Sequence, residues 1–254
     1  GTSTMQQWAM ASFIGRANYS FKDRYLLQVT FRRDGCSRFG SGNKYANFPA
    51  VALGWAFSEE KFLDWAWWLS YGKFRVSYGK SGEIFPDAYR AHGLMIPGGE
   101  FLGRPLMNID DNALKNGGMI NRELKWVKHD QYDFGLDMDF FDYRLKFKID
   151  YYYRWSTGVI ANSKIPKTIY LYENRWVNAN DISNEGLEIE VVGDIIRGEN
   201  WSWRTRFNAS RNWNRLKKTF DGKDVGLTNG IPHHMLGKPL YNLWAFVHGK
   251  VYEH

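Results

Sequence analysis

Residues 131–155 read Gln131-Tyr-Asp-Phe-Gly-Leu-Asp-Met-Asp-Phe-Phe-Asp-Tyr-Arg-Leu-Lys-Phe-Lys-Ile-Asp-Tyr-Tyr-Tyr-Arg-Trp155, with apolar and polar side chains alternating on both sides of Phe141-Asp142. A two-residue turn there predicts a hairpin that pairs Phe140 with Tyr143, Met138 with Leu145, Leu136 with Phe147, Phe134 with Ile149 and Tyr132 with Tyr151 on one face. The other face then sets Asp139 against Arg144 and Asp137 against Lys146, with Lys148 next along, so opposite charges meet across the ladder. Slipping one strand by a single residue would put Asp137 against Leu145, which fixes which side chains share a face.

The same period of two runs outward from this hairpin in both directions. Upstream, Ala17, Tyr19 and Phe21 continue through the tight turn Lys22-Asp23-Arg24 into Tyr25, Leu27, Val29 and Phe31. A third strand near Pro49 to Phe57 carries Val51, Leu53, Trp55 and Phe57, and a fourth, Lys73 to Gly79, sets Lys73, Arg75 and Ser77 against Phe74, Val76 and Tyr78. Between them Ser58-Glu59-Glu60 has the chemistry of a helix start, so one short helix is expected near 59–69. Downstream, Gly186 to Ile195 and Trp201 to Trp213 form another hairpin, in which Glu190 can meet Arg206 and Arg204 shares the polar side. Tight turns and the short helix fall on one edge. Long connections at Asp34 to Phe48, Lys80 to about Glu123, about Val159 to Asp181 and Leu216 to Gly237 fall on the other, which is how an up-and-down barrel is built.

Composition agrees: 254 residues, 44% hydrophobic and 17% aromatic, suit a folded chain rather than a disordered or fibrous one. The apolar run Val51 to Phe57 is far too short for a membrane helix. A net charge of +7 is scattered, which argues against a nucleic-acid partner. Cys36 stands alone, so no intrachain disulfide or cysteine-based metal site is expected.

A two-faced sheet can lie on a soluble core or in lipid. Strand lengths of about 9 to 13 residues, aromatics near strand ends (Phe140, Tyr143, Tyr151, Tyr153, Trp155, Trp201, Trp203) and the unequal edges favour lipid. A Lys or Arg at the bilayer midplane costs roughly 2 to 4 kcal/mol, so Lys146 and Lys148 are expected to look into a lumen. The fold expected is an all-β, antiparallel, up-and-down transmembrane barrel segment of about eight or nine strands.

Several blocks closely resemble the barrel of SusC/RagA-type TonB-dependent outer-membrane receptors. They are Ser12-Phe-Ile-Gly-Arg-Ala-Asn-Tyr-Ser-Phe-Lys-Asp-Arg-Tyr-Leu-Leu, Phe31-Arg-Arg-Asp-Gly-Cys-Ser-Arg-Phe-Gly, Phe48-Pro-Ala-Val-Ala-Leu-Gly-Trp-Ala-Phe-Ser-Glu-Glu-Lys-Phe and Leu69-Ser-Tyr-Gly-Lys-Phe-Arg-Val-Ser-Tyr-Gly, then Leu124-Lys-Trp, Gln131-Tyr-Asp-Phe-Gly-Leu-Asp, Asp150-Tyr-Tyr-Tyr, Asn184-Glu-Gly-Leu-Glu-Ile and Trp201-Ser-Trp. They follow family order from about Ser12 to Tyr241. The resemblance implies a wall segment of an outer-membrane importer of glycan or peptide nutrients. Its implied partners are outer-membrane lipid, a SusD-like surface lipoprotein and, through a plug, the TonB inner-membrane complex. The chain is therefore expected to be an internal piece of a 22-stranded barrel, with plug and closing strands outside it. Cys36 stands where the family usually has Ser, and Val127-Lys128 where an acidic residue and Thr are common.

Candidate sites follow from both readings. Tyr89, Tyr170, Tyr172 and Trp176, in long-connection regions, offer ring planes for a sugar, although packing or interface anchoring is the commoner use of such rings. Arg75, Asp137, Asp139, Arg144, Lys146, Lys148, Glu190, Arg204 and Arg206 are the expected lumen charges; Arg16 extends the row. Asp133, Asp137 and Asp139 resemble glycosidase carboxylates only superficially, since cations face them. His233-His234 are adjacent on a strand and diverge, so no metal is expected, and no cofactor. Two rival readings use the same residues: a soluble all-β carbohydrate-binding module, and a β-rich glycoside hydrolase.

Overall fold

The computed structural model describes residues 7–85, 91, 95–101, 104–109, 120–164, 174–228 and 231–240. One antiparallel sheet holds eight strands: β1 (Met10–Phe21), β2 (Tyr25–Cys36), β3 (Tyr45–Trp55), β4 (Leu69–Glu83), β7 (Val127–Phe140), β8 (Leu145–Lys164), β9 (Asn174–Arg197) and β10 (Ser202–Lys218). Their spatial order follows the chain, as in an up-and-down barrel wall. Two small hairpins stand apart from this sheet: β5 (Met95–Phe101) with β6 (Arg104–Ile109), within the β4–β7 connection, and β11 (Val225–Thr228) with β12 (Ile231–His234).

The expected register at 131–155 is corrected by two residues. Phe140 pairs with Leu145, Met138 with Phe147, Leu136 with Ile149 and Phe134 with Tyr151; on the other face Asp139 meets Lys146 and Asp137 meets Lys148. The turn takes four residues, because Phe141, Asp142 and Tyr143 all adopt positive φ (53°, 53° and 61°) and Arg144 N donates to Phe141 O at 3.2 Å. A shift of two keeps every side chain on its expected face, so the pairs change and the amphipathicity does not.

The expected helix near 59–69 is also revised. The segment forms two 3-10 turns, Phe57–Glu59 and Lys61–Leu63. Glu60 between them is extended (φ −90°, ψ 137°), and its carboxylate accepts from Tyr25 Oη at 2.5 Å and Trp55 Nε1 at 3.3 Å. Ser58, expected to cap the helix, instead donates to Gly72 O at 3.4 Å. These ties to β2, β3 and β4 break the helical path where a free N-terminus would have continued it.

Strands β8 and β9 run past their neighbours on the long-connection side. The last β7–β8 pair is Lys128 with Thr157, yet β8 continues against β9 as far as Lys164 opposite Asn174, after irregularities between Ser156 and Ile160. At the same edge lies the main buried cluster: Cys36, Phe39, Phe48, Phe85, Leu124 and Trp126. The Phe39 and Phe48 rings sit 5.1 and 5.7 Å from that of Trp126, whose indole donates to Lys44 O at 3.1 Å. This small core knits the long connections to the strand ends; among the described residues no layer packs on either face of the sheet.

Candidate functional site

Each rung of the eight-stranded ladder places one side chain per strand on the same side. One rung runs Tyr19, Leu27, Leu53, Val76, Phe134, Tyr151, Leu187, Arg211; the next toward the short turns runs Phe21, Tyr25, Trp55, Phe74, Leu136, Ile149, Ile189, Ala209. The apolar members of these rungs are exposed or half-exposed, Tyr19 at 61% and Leu53 at 55%. Water would make such a face an aggregation surface, far larger than the apolar patches soluble monomers carry.

The boundary of the apolar band gives the strand tilt. On β2 the first charge toward the long connections is Arg33, opposite Phe13 of β1; on β10 it is Arg211, on the rung of Tyr19. Phe13 and Tyr19 are six residues apart, about 20 Å of strand, and β2 to β10 spans six strand spacings, about 29 Å. A band level with a flat medium then requires strands inclined by about 35°, the tilt of membrane β-barrels.

The opposite face is polar. Arg75 on β4 donates through Nε to Asp137 Oδ2 at 2.8 Å, and through Nη2 to Asp137 Oδ1 at 3.0 Å and Asp150 Oδ1 at 2.8 Å. Asp133 accepts from Ser77 Oγ and Gln131 Nε2, both at 2.8 Å. Toward the short turns, Lys146 lies 4.0 Å from Asp139 and Arg206 3.3 Å from Glu190, while Arg204 and Arg197 both bind Asp194. The expected pairs Asp139–Arg144 and Asp137–Lys146 are not formed. Arg144 belongs to the turn, Lys146 takes Asp139, and Arg75, two strands from β8, takes Asp137. Arg75, Asp133, Asp150, Tyr152, Arg154 and Glu188 line an open polar recess on this face.

Of the candidate ring planes, Tyr89, Tyr170 and Tyr172 lie outside the described residues. Trp176 is in β9 rather than a loop; its ring packs 5.2 Å from Phe85, and its carbonyl accepts from Asn121 Nδ2 at 2.8 Å. His234 Nδ1 is 2.8 Å from Leu240 O, and among the described residues no three His, Cys, Asp or Glu side chains gather as a metal site.

One cluster escaped sequence reasoning. His129 Nδ1 is 2.7 Å from Ser156 Oγ, and His129 Nε2 is 3.5 Å from Glu83 Oε2, with one residue each from β7, β8 and β4. The composition is that of a nucleophile triad, but Ser156 is only 5% accessible and cannot meet a substrate carbonyl. No local motif announces a contact between residues so far apart in sequence.

A family model described as TonB dependent receptor-like, beta-barrel, matches residues 1–252. TonB-dependent receptor P39 of Formosa agariphila is 30% identical over 97% of this chain and 23% of its own length. TonB-dependent receptor SusC of Bacteroides thetaiotaomicron is 31% identical over 85% of this chain and 21% of its own. A solved structure of the RagAB peptide importer aligns at a TM-score of 0.78 with 26% identity, over 87% of this chain and 24% of that one. The FrpB iron transporter from Neisseria meningitidis shares the fold at a TM-score of 0.56 and 16% identity. This chain spans about a fifth to a quarter of the length of the curated relatives it matches.

Proposed function

Given that the chain belongs to the TonB-dependent receptor β-barrel family, we propose that it forms part of the wall of an outer-membrane importer. The nutrients carried are of the glycan or peptide class, and the surface partner is a SusD-like lipoprotein. The plug and its contact with the TonB inner-membrane complex belong to the rest of the polypeptide. The chain has no catalytic role.

The observation that carries this reading is the inclined apolar band backed by an ion-paired face. The first supports an outer surface that faces hydrocarbon, and the second supports a wet lumen lined by charges held in place by one another. Likeness to a RagAB peptide importer supports a peptide nutrient; the glycan alternative and the lipoprotein partner rest on the resemblance of the sequence blocks to the SusC/RagA type.

The test uses the full-length receptor. Cells lacking it are grown on single glycans or peptides as the sole nutrient, and growth on one of these should fall and return with the intact gene. Unchanged growth on every one of them, together with a purified receptor that stays monodisperse without detergent, would overturn the proposal.

A further inference from the structure

We infer that the connection between β3 and β4 is a lipid-interface ledge, whose rings lie at the boundary between headgroups and acyl chains on the short-turn side. This rests on the wall reading and adds a surface that the strands do not supply. Phe62, Trp65 and Trp67 are 61%, 69% and 83% accessible, more than most residues of the apolar band. They are exposed on a fixed backbone: Ala66 N donates to Leu63 O at 2.8 Å, Leu69 N to Ala66 O at 2.9 Å, and Phe141 N to Trp68 O at 3.0 Å. Rings brace one another across the turns, Trp68 stacking on Phe140 at 5.8 Å and Trp67 standing 6.5 Å from Phe141.

The connection lies on the apolar side of the sheet. Glu60 binds the polar tips of Tyr25 and Trp55, two members of the apolar rung nearest the short turns. The Phe57 ring fills the space a side chain at Gly72 would need, on the face shared with Phe74. The exposed rings therefore stand beside the apolar rung nearest the short turns, interleaved with the exposed charges of Glu59, Lys61 and Asp64, the mixture of rings and charged groups that suits the headgroup level. The indole N–H groups of Trp65 and Trp67 make no hydrogen bond with any described residue. An apolar body with a free donor is the chemistry that settles at the membrane–water boundary.

The experiment places single nitroxide labels on the full-length receptor in phospholipid vesicles at positions 65 and 67, with Leu53 and Asn208 as outer-face and polar-face references. Cys36, 2% accessible, is closed to the reagent and stays unlabelled. Collision rates with oxygen and with a water-soluble nickel chelate report depth. The oxygen-to-nickel ratio at 65 and 67 should be several-fold above that at 208 and below that at 53. Phe62 supplies a third labelling position if either tryptophan proves necessary for assembly, which heat-dependent gel mobility reports. A ratio at 65 and 67 equal to that at 208, or collision with neither reagent, overturns the ledge and leaves the wall reading intact. If position 53 itself behaves like 208, the wall reading falls and takes the ledge with it.

Discussion

Leu27 and Gln28 are successive residues of β2 whose side chains point to opposite faces. Leu27 stands on the rung of Tyr19 and Leu53, and Gln28 on that of Asn18 and Ala52. Replacing each with Arg therefore asks the same question of two media. At Leu27 the guanidinium enters the apolar band between two aliphatic or aromatic neighbours, where a cation costs about 2 to 4 kcal/mol. That is a drop of roughly 30- to 700-fold in the folded-to-unfolded ratio, at tenfold per 1.4 kcal/mol. At Gln28 the same group joins a hydrated polar face beside Ser77 and Asp133, across the recess they share. The expected change there is within about 0.5 kcal/mol, the usual size of a surface substitution. The assay is urea denaturation of the full-length receptor in vesicles, followed by heat-dependent gel mobility and tryptophan emission. Equal losses for the two variants, or a larger loss for Gln28→Arg, would refute the assignment of the two faces.

Three further outcomes are expected of the full-length receptor. Arg75→Gln should cost about 1 kcal/mol, low for a doubly paired guanidinium because 40% of its side chain stays accessible, and Asp137→Asn added to it should cost little more; a double-mutant cycle in urea checks this. Gly82→Ala should cost about 1 to 3 kcal/mol, because the new methyl enters space held by the buried Phe48 ring beside Trp126, and the loss should be read as faster exchange of amides around the Phe39–Trp126 cluster. Hydrogen bonds from Tyr25 and Trp55, with Arg24 nearby, hold the Glu60 carboxyl below the usual glutamate range. Its contribution to docking of the 57–63 segment is thus complete above that range and lost as pH falls through the lower folded value. Exchange of the segment's amides, corrected for intrinsic chemistry, should rise as pH falls below the usual glutamate value of 4.5 in the native receptor and stay level in Glu60→Gln.

Much of the wall is legible in sequence because one physical requirement, a different medium on each side, is written at every second residue. Parity survives errors that register does not. The Phe141–Arg144 turn shows this: a two-residue turn and a four-residue turn give the same faces, and only the φ values of Phe141, Asp142 and Tyr143 decide between them. The helix expected after Ser58 failed because local capping chemistry lost to the long-range pull of Tyr25 and Trp55 on Glu60. Strand ends were underestimated for a related reason. Beyond Trp155 the alternation fades, since Ser156, Val177 and Ala179 are buried among packed elements, and period two no longer marks a strand. The ion pairs around Arg75 were half visible. Their face was set by pattern, their partners by strand stagger that no single hairpin encodes.

If the chain is the outer-membrane wall proposed above, the β8–β9 overhang changes what the world outside the cell encounters. With 24 residues at about 3.3 Å each and a lean near 35°, β9 climbs roughly 60 Å, against a greasy zone about 25 Å tall. Most of that height stands clear of the bilayer like a chimney on a roof. On the proposed wall reading, an antibody or a phage tail arriving from outside touches this masonry tens of ångströms before it could graze a lipid, so immune and viral pressure should fall first on residues 157–164 and 174–180.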